Sequence, residues 1–209
     1  MTDDLDFHAD DVDGIPLDVN DDGVIDGFGF DTNHDGLIDA VVMDTDGDGL
    51  ADFAAVDSDF DGNIDTVGYD TNSDGRLDVF GSDTDGDGII DVVAADTDYD
   101  SRVDAVVIDT NADGRADVFA ADTNSDGVID VAVSDTNHDG VFDHAIADTN
   151  HDGVFDVAVA DIDHDGVVDV AVADFNNDGR IDAVAVNTTD RRPSVFDSDV
   201  GPDTDAFRV

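Results

Sequence analysis

From Asp18 to Val186 the chain is one 13-residue unit repeated thirteen times without an insertion, and DTNHDGVFDVAVA at Asp148 to Ala160 stands close to the average unit. Periodicity this strict confines the fold to architectures in which equal small units stack on their neighbours. With each unit numbered 1 to 13, Asp occupies positions 1, 5 and 9 in all thirteen, and position 3 is always Asn or Asp. Position 6 is Gly everywhere except at Ser101. Oxygen-bearing side chains that alternate along a short extended-then-turning segment aim several carboxylates or amides at one hard cation. Calcium is the natural candidate.

The candidate ligands form four sets. Position 1 supplies Asp18, Asp31, Asp44, Asp57, Asp70, Asp83, Asp96, Asp109, Asp122, Asp135, Asp148, Asp161 and Asp174. Position 3 supplies Asn20, Asn33, Asp46, Asp59, Asn72, Asp85, Asp98, Asn111, Asn124, Asn137, Asn150, Asp163 and Asn176. Position 5 supplies Asp22, Asp35, Asp48, Asp61, Asp74, Asp87, Asp100, Asp113, Asp126, Asp139, Asp152, Asp165 and Asp178. Position 9 supplies Asp26, Asp39, Asp52, Asp65, Asp78, Asp91, Asp104, Asp117, Asp130, Asp143, Asp156, Asp169 and Asp182. All 56 acidic residues are Asp, since Glu and Lys are both absent, and 44 of them keep phase with the repeat. A merely solvated acidic face would scatter its charge and mix Asp with Glu, so the phase locking argues for ligands.

A formal charge of -49 argues against nucleic acid and anionic membrane surfaces as partners. Asp recurs too often for any apolar run to approach the roughly 18 residues that cross a bilayer, and MTDDLDFH lacks a basic and apolar export signal. With no Cys there is neither a disulfide framework nor a thiolate nucleophile.

Within a unit, positions 1 to 6 read as a turn: Asp and Asn bond their own backbone, and Gly at position 6 supplies a positive φ. Ser101 must tolerate that left-handed conformation, which marks Asp96 to Asp104 as the most strained loop. Position 8 is apolar throughout, from Ile25 to Ile181, and is the expected core position. Positions 10 to 13, rich in Val and Ala, suit a short strand packed on both faces, because six loop residues leave too few for a helix. The expected fold is all-β: a calcium-loaded, β-roll-like solenoid with two units per coil, about 30 Å tall at ~4.8 Å per coil. Asp44 to Ser82 and Asp83 to Ala121 are near copies, a 39-residue duplication that suggests three units per coil or a history of copying. Residues 1–17 read as an N-terminal cap with one decayed unit that retains Asp13, with Pro16 blocking strand addition. Residues 187–209, with Arg191, Arg192 and Pro193, read as a C-terminal cap and tail.

The pattern D-x-[DN]-x-D-G-x-x-D resembles the first nine residues of EF-hand and dockerin loops. It is closer to FG-GAP or VCBS repeats, in which the ninth-position Asp leads directly into a short apolar strand, as at Asp156 to Ala160. The tandem 13-residue spacing is similar to thrombospondin type 3 repeats. The resemblance covers about four-fifths of the chain and implies that Asp148, Asn150, Asp152 and Asp156 donate side-chain oxygens and Val154 its carbonyl, the other units repeating the set. An EF-hand would add a bidentate Glu at position 12, where this chain has Val159 and its equivalents, so an EF-hand switch is not implied.

His34, His138, His151 and His164 share position 4, an outward loop site, and His144 replaces an apolar residue at position 10. Four arginines, Arg76, Arg102, Arg115 and Arg180, share position 7, where they offset nearby Asp charge. Thr recurs at position 2 from Thr32 to Thr149, with Ser58 intervening, which is turn chemistry before it is an ice-binding ladder. No catalytic constellation appears. The sequence points to a non-enzymatic calcium-binding scaffold, extracellular or at the cell surface, that rigidifies on loading and contacts a surface partner or itself. Calcium storage is the alternative function, and ice binding ranks below both.

Overall fold

The computed structural model describes residues 14–187. Every unit ends in a four-residue strand at positions 10 to 13, from β2 (Gly27–Phe30), β3 (Ala40–Met43) and β4 (Phe53–Val56) through to β14 (Ala183–Val186). A three-residue strand, β1 (Ile15–Leu17), precedes them. All fourteen lie in one antiparallel sheet in sequence order, and no helix occurs among the described residues. The fold is therefore all-β and regular along its length. Pro16 sits in the middle of the edge strand β1, paired with Phe28. Asp13 and the segment carrying Arg191, Arg192 and Pro193 lie outside the described residues.

Each loop reverses the chain, as expected, but the returning strand joins the same layer beside its predecessor. It does not pass beneath to close a coil. Ala40 pairs with Val56 and Val41 with Ala55, so position 10 always meets position 13 of the next unit and 11 meets 12. No strand touches any but its sequence neighbours. The two-unit coil of about 30 Å is thus replaced by an open ribbon in which thirteen strand spacings of ~4.8 Å add up to about 60 Å. What survives of the two-unit period is an alternation: loops of odd units line one edge of the ribbon and loops of even units the other.

A single layer has no facing layer to pack on, so position 8 is not a continuous core: Ala51 there is buried and Leu77, Ile90 and Ile129 are half-buried, but most of the others are exposed. Ile25, Ile38, Phe142, Phe155 and Ile181 are 40–60% exposed. Ile38, Leu77 and Ile90 lie over position 12 of the preceding strand. A methyl group added at Gly29 would stand 2.6 Å from Ile38 Cδ1, and one at Gly68 equally close to Leu77 Cδ1. Strand side chains are mostly half-buried rather than enclosed on both faces. Phe53 and Tyr69 form a tilted ring pair across adjacent strands, with centroids 5.0 Å apart.

What is enclosed is polar. Among the described residues Phe28, Ala51 and Ala55 are the buried apolar side chains, against sixteen buried Asp, every one of them at position 1 or 9. These positions flank each strand. Asp57 N–H donates to the Asp39 carbonyl at 2.7 Å, and Asp39 N–H to that of Phe30 at 2.8 Å, which carries the ladder past the strand ends into the loops.

Two residues per loop adopt a left-handed backbone. At position 6 this was foreseen, and Ser101 has φ 74°. Position 4 does the same in all thirteen units, including Ala112 (φ 56°), Phe60 (φ 66°) and His151 (φ 59°). A side chain there carries a steric cost that Gly avoids. Ala112→Gly should therefore stabilise the protein by about 0.5–1 kcal/mol, read as a higher melting temperature, because the αL penalty exceeds the entropic cost of Gly. An unchanged or lower melting temperature would mean the strain is not real.

Candidate metal centres

Each loop is organised by its own carboxylates. Position 1 anchors the turn: Asp148 accepts from the N–H groups of Asn150, His151, Asp152 and Gly153, the last at 2.7 Å. The position 5 carboxylate accepts from the N–H two residues on, as Val154 donates to Asp152 at 3.0 Å. Position 9 closes the loop. One oxygen of Asp52 accepts from the Thr45 N–H and hydroxyl and from the Asp46 N–H, at 2.6–3.0 Å. The hydroxyl at position 2 donates to position 9 in the same way from Thr32 to Thr149. The Thr row is therefore turned onto Asp and split between two edges.

At position 1 both oxygens accept backbone bonds, as at Asp148, and oxygens of the loop carboxylates still converge inside the loop. Asp31, Asp35 and Asp39 present oxygens within 4.8 Å of one another, and so do Asp44, Asp46 and Asp48; Asp57, Asp59 and Asp61; Asp70, Asp74 and Asp78; and Asp83, Asp85 and Asp91. Every one of these groups comes from a single loop and takes three of positions 1, 3, 5 and 9. The structure thus brings together residues at the four predicted positions. Asp91 Oδ1 is buried with no hydrogen-bond partner. Three anionic oxygens at this spacing repel unless a cation lies among them. The all-oxygen donor set and the orphaned Asp91 oxygen suit a hard divalent ion.

Loops also touch along each edge, always two units apart. His138 Nδ1 meets Asp117 Oδ1 at 2.8 Å, and His151 Nδ1 meets Asp130 Oδ1 at 2.9 Å. Ser73 donates to Asp46 at 3.1 Å and Asn177 to Asp152 at 2.8 Å. Position 4 is accordingly a joint between loops as well as an outward site. Arg102 donates to the Asp126 carbonyl at 3.1 Å and Arg76 to the Ser101 hydroxyl at 3.2 Å, so these arginines also tie loop to loop. Sequence reasoning missed these joints, because a 13-residue period does not say which loops become neighbours.

The imidazole joints set a pH dependence. Hydrogen bonds from His138 and Thr110 hold the Asp117 carboxyl at about 2, and His151 and Thr123 do the same for Asp130. The same bonds raise both imidazoles above their ordinary value. A lowered carboxyl stabilises the fold above its unfolded value of 3.8, and that gain disappears as pH falls through about 2. A raised imidazole stabilises below its unfolded value of 6.5, and that gain disappears as pH rises through the folded value. Replacing His138 and His151 by Ser should therefore lower the melting temperature more at about pH 5.5 than at about pH 8.5, at fixed calcium. Equal losses would assign the effect to packing alone.

Comparison with family models, curated proteins and solved structures finds no match to this chain. No helix among the described residues is long and apolar enough to cross a membrane.

Proposed function

We propose that the protein is a calcium-dependent structural repeat, in which ions held in the edge loops allow a very acidic single-layer sheet to exist. The observation that carries this reading is the burial of sixteen aspartates beside the strands in a chain with seven arginines and no lysine. Backbone N–H groups satisfy part of each carboxylate, but the net charge needs external cations. Thirteen divalent ions would bring the formal charge from -49 to -23. Positions 1, 3, 5 and 9 supply the side-chain ligands and position 7 a carbonyl.

Without a position-12 Glu, affinity falls near the extracellular range of about 10⁻⁴ to 10⁻³ M. That places the working protein outside the cytosol or at a cell surface, as a spacer or adhesive element whose stiffness follows ambient calcium. The regular side-chain joints between loops favour this over storage, since a buffer has no need to couple one loop to the next. A calcium titration followed by calorimetry and circular dichroism separates the two. Cooperative uptake coincident with gain of strand signal supports the scaffold, and graded uptake without folding supports storage.

A further inference from the structure

The edge alternation brings together two histidines that a calcium scaffold does not use. Among the described residues His144 is the one imidazole within a strand, at the start of β11 (His144–Ala147), and its side chain is 46% exposed. His164 is the position 4 residue of the loop two units later, which returns to the same edge. Both meet the same carboxylate. His144 Nδ1 bonds Asp143 Oδ1, and His164 Nδ1 stands 3.2 Å from Asp143 Oδ2. Asp143 is 3% exposed and is held in place by the Thr136 N–H and hydroxyl at 2.9–3.0 Å. Asp117 and Asp130 each meet one imidazole, so this pairing differs from the other joints.

We propose that His144, His164 and Asp143 form a binding site for one borderline-soft divalent transition metal, zinc being the reference ion. Two imidazole nitrogens and one carboxylate oxygen are the donor set that suits zinc, nickel or copper, and that calcium, which takes oxygen ligands, does not select. Two donors around a tetrahedral zinc stand about 3.3 Å apart, which is the separation His164 already has from Asp143. His144 needs a small outward movement, which its exposed strand position permits. A bound divalent ion would bridge both imidazoles to Asp143 and tie the loop of residues 161–169 to β11. The proposal requires the strand register and the alternation of edges, and it shares Asp143 with the loop of residues 135–143, whose position 9 that residue fills.

The test is zinc titration of the full chain by calorimetry and by the histidine ring resonances, in millimolar calcium and again without it, with strand content checked by circular dichroism. One zinc should bind at least a hundredfold more tightly than any further zinc, moving the His144 and His164 resonances. His144→Ala should weaken it at least tenfold; Ala occupies the same position at Ala105, so the strand should persist. His164→Ser, matching Ser73 and Ser125 at position 4, should do the same. His138→Ser and His151→Ser should leave it unchanged. Absence of a tight equivalent in the folded protein overturns the proposal. So does tight binding that survives His144→Ala, or uptake shared equally among the position 4 histidines. Loss of zinc binding with calcium uptake intact would count against this site alone, and the reverse result against the calcium reading alone.

Discussion

Chelation of calcium should abolish most of the strand circular dichroism, and restoring millimolar calcium should bring it back. At free calcium tenfold above the site constant each ion adds about 1.4 kcal/mol, so thirteen independent sites add on the order of 18 kcal/mol. An ordinary domain has about 5–15 kcal/mol in total. The apolar contribution is small here: three buried apolar side chains and a single layer whose position 8 residues are largely exposed. Without ions, the carboxylates grouped in each loop repel one another, and position 9 of one loop lies beside position 1 of the loop two units on, joined by bonds such as Asp57 N–H to the Asp39 carbonyl. Strand signal that stays constant from chelated buffer to millimolar calcium would overturn the folding role of the ion.

The second large effect concerns one loop. Asp148→Ala removes a carboxylate that accepts four backbone N–H groups and would supply a metal oxygen. Charge-assisted bonds of this kind justify a loss of about 3 kcal/mol together with one calcium ion from the stoichiometry. Asp148→Asn keeps a carbonyl acceptor while removing the charge, so it should lose the ion with a smaller change in stability. Because a unit contacts only the units one and two places along the chain, the damage should stay local, with protection against hydrogen exchange lost around residues 148–156 and kept at distant strands. Equal calcium stoichiometry in wild type and both variants would show that position 1 is not a ligand.

Much of the architecture was legible in the residues. Strands fall at positions 10 to 13 in every unit because Val and Ala there follow a loop whose Asp and Gly residues cannot continue a strand. The left-handed backbone at Ser101 was legible because twelve other units place Gly at that position. Position 4 adopts the same conformation unannounced, since Phe60, Tyr99 and Ala112 disguise it; Gly47, Gly86 and Asn177 were the available hint. Whether the chain coils or spreads was not legible, because a loop that reverses direction serves both, and the choice depends on whether the returning strand pairs in or out of the layer. Position 8 misled for the same reason: an apolar residue at fixed phase reads as core, yet a lone layer offers only its own preceding strand, as Ile38 finds over Gly29. The clustering of ligand positions followed from spacing within one loop, whereas His164 reaching Asp143 required the order of loops along an edge.

The alternation of loops makes parity a property of this chain. Excising or adding a pair of units would leave every downstream loop on its own side of the ribbon, while a change by one unit would transfer all of them to the other side. The near copies Asp44 to Ser82 and Asp83 to Ala121 are three units long, so equivalent loops in the two copies now face opposite ways. Such an odd step is harmless only if both margins offer the same chemistry, and their common Asp pattern makes them interchangeable. A joint that depends on sidedness, such as His144 with His164, would be separated by inserting one unit between them and would survive any even change made elsewhere.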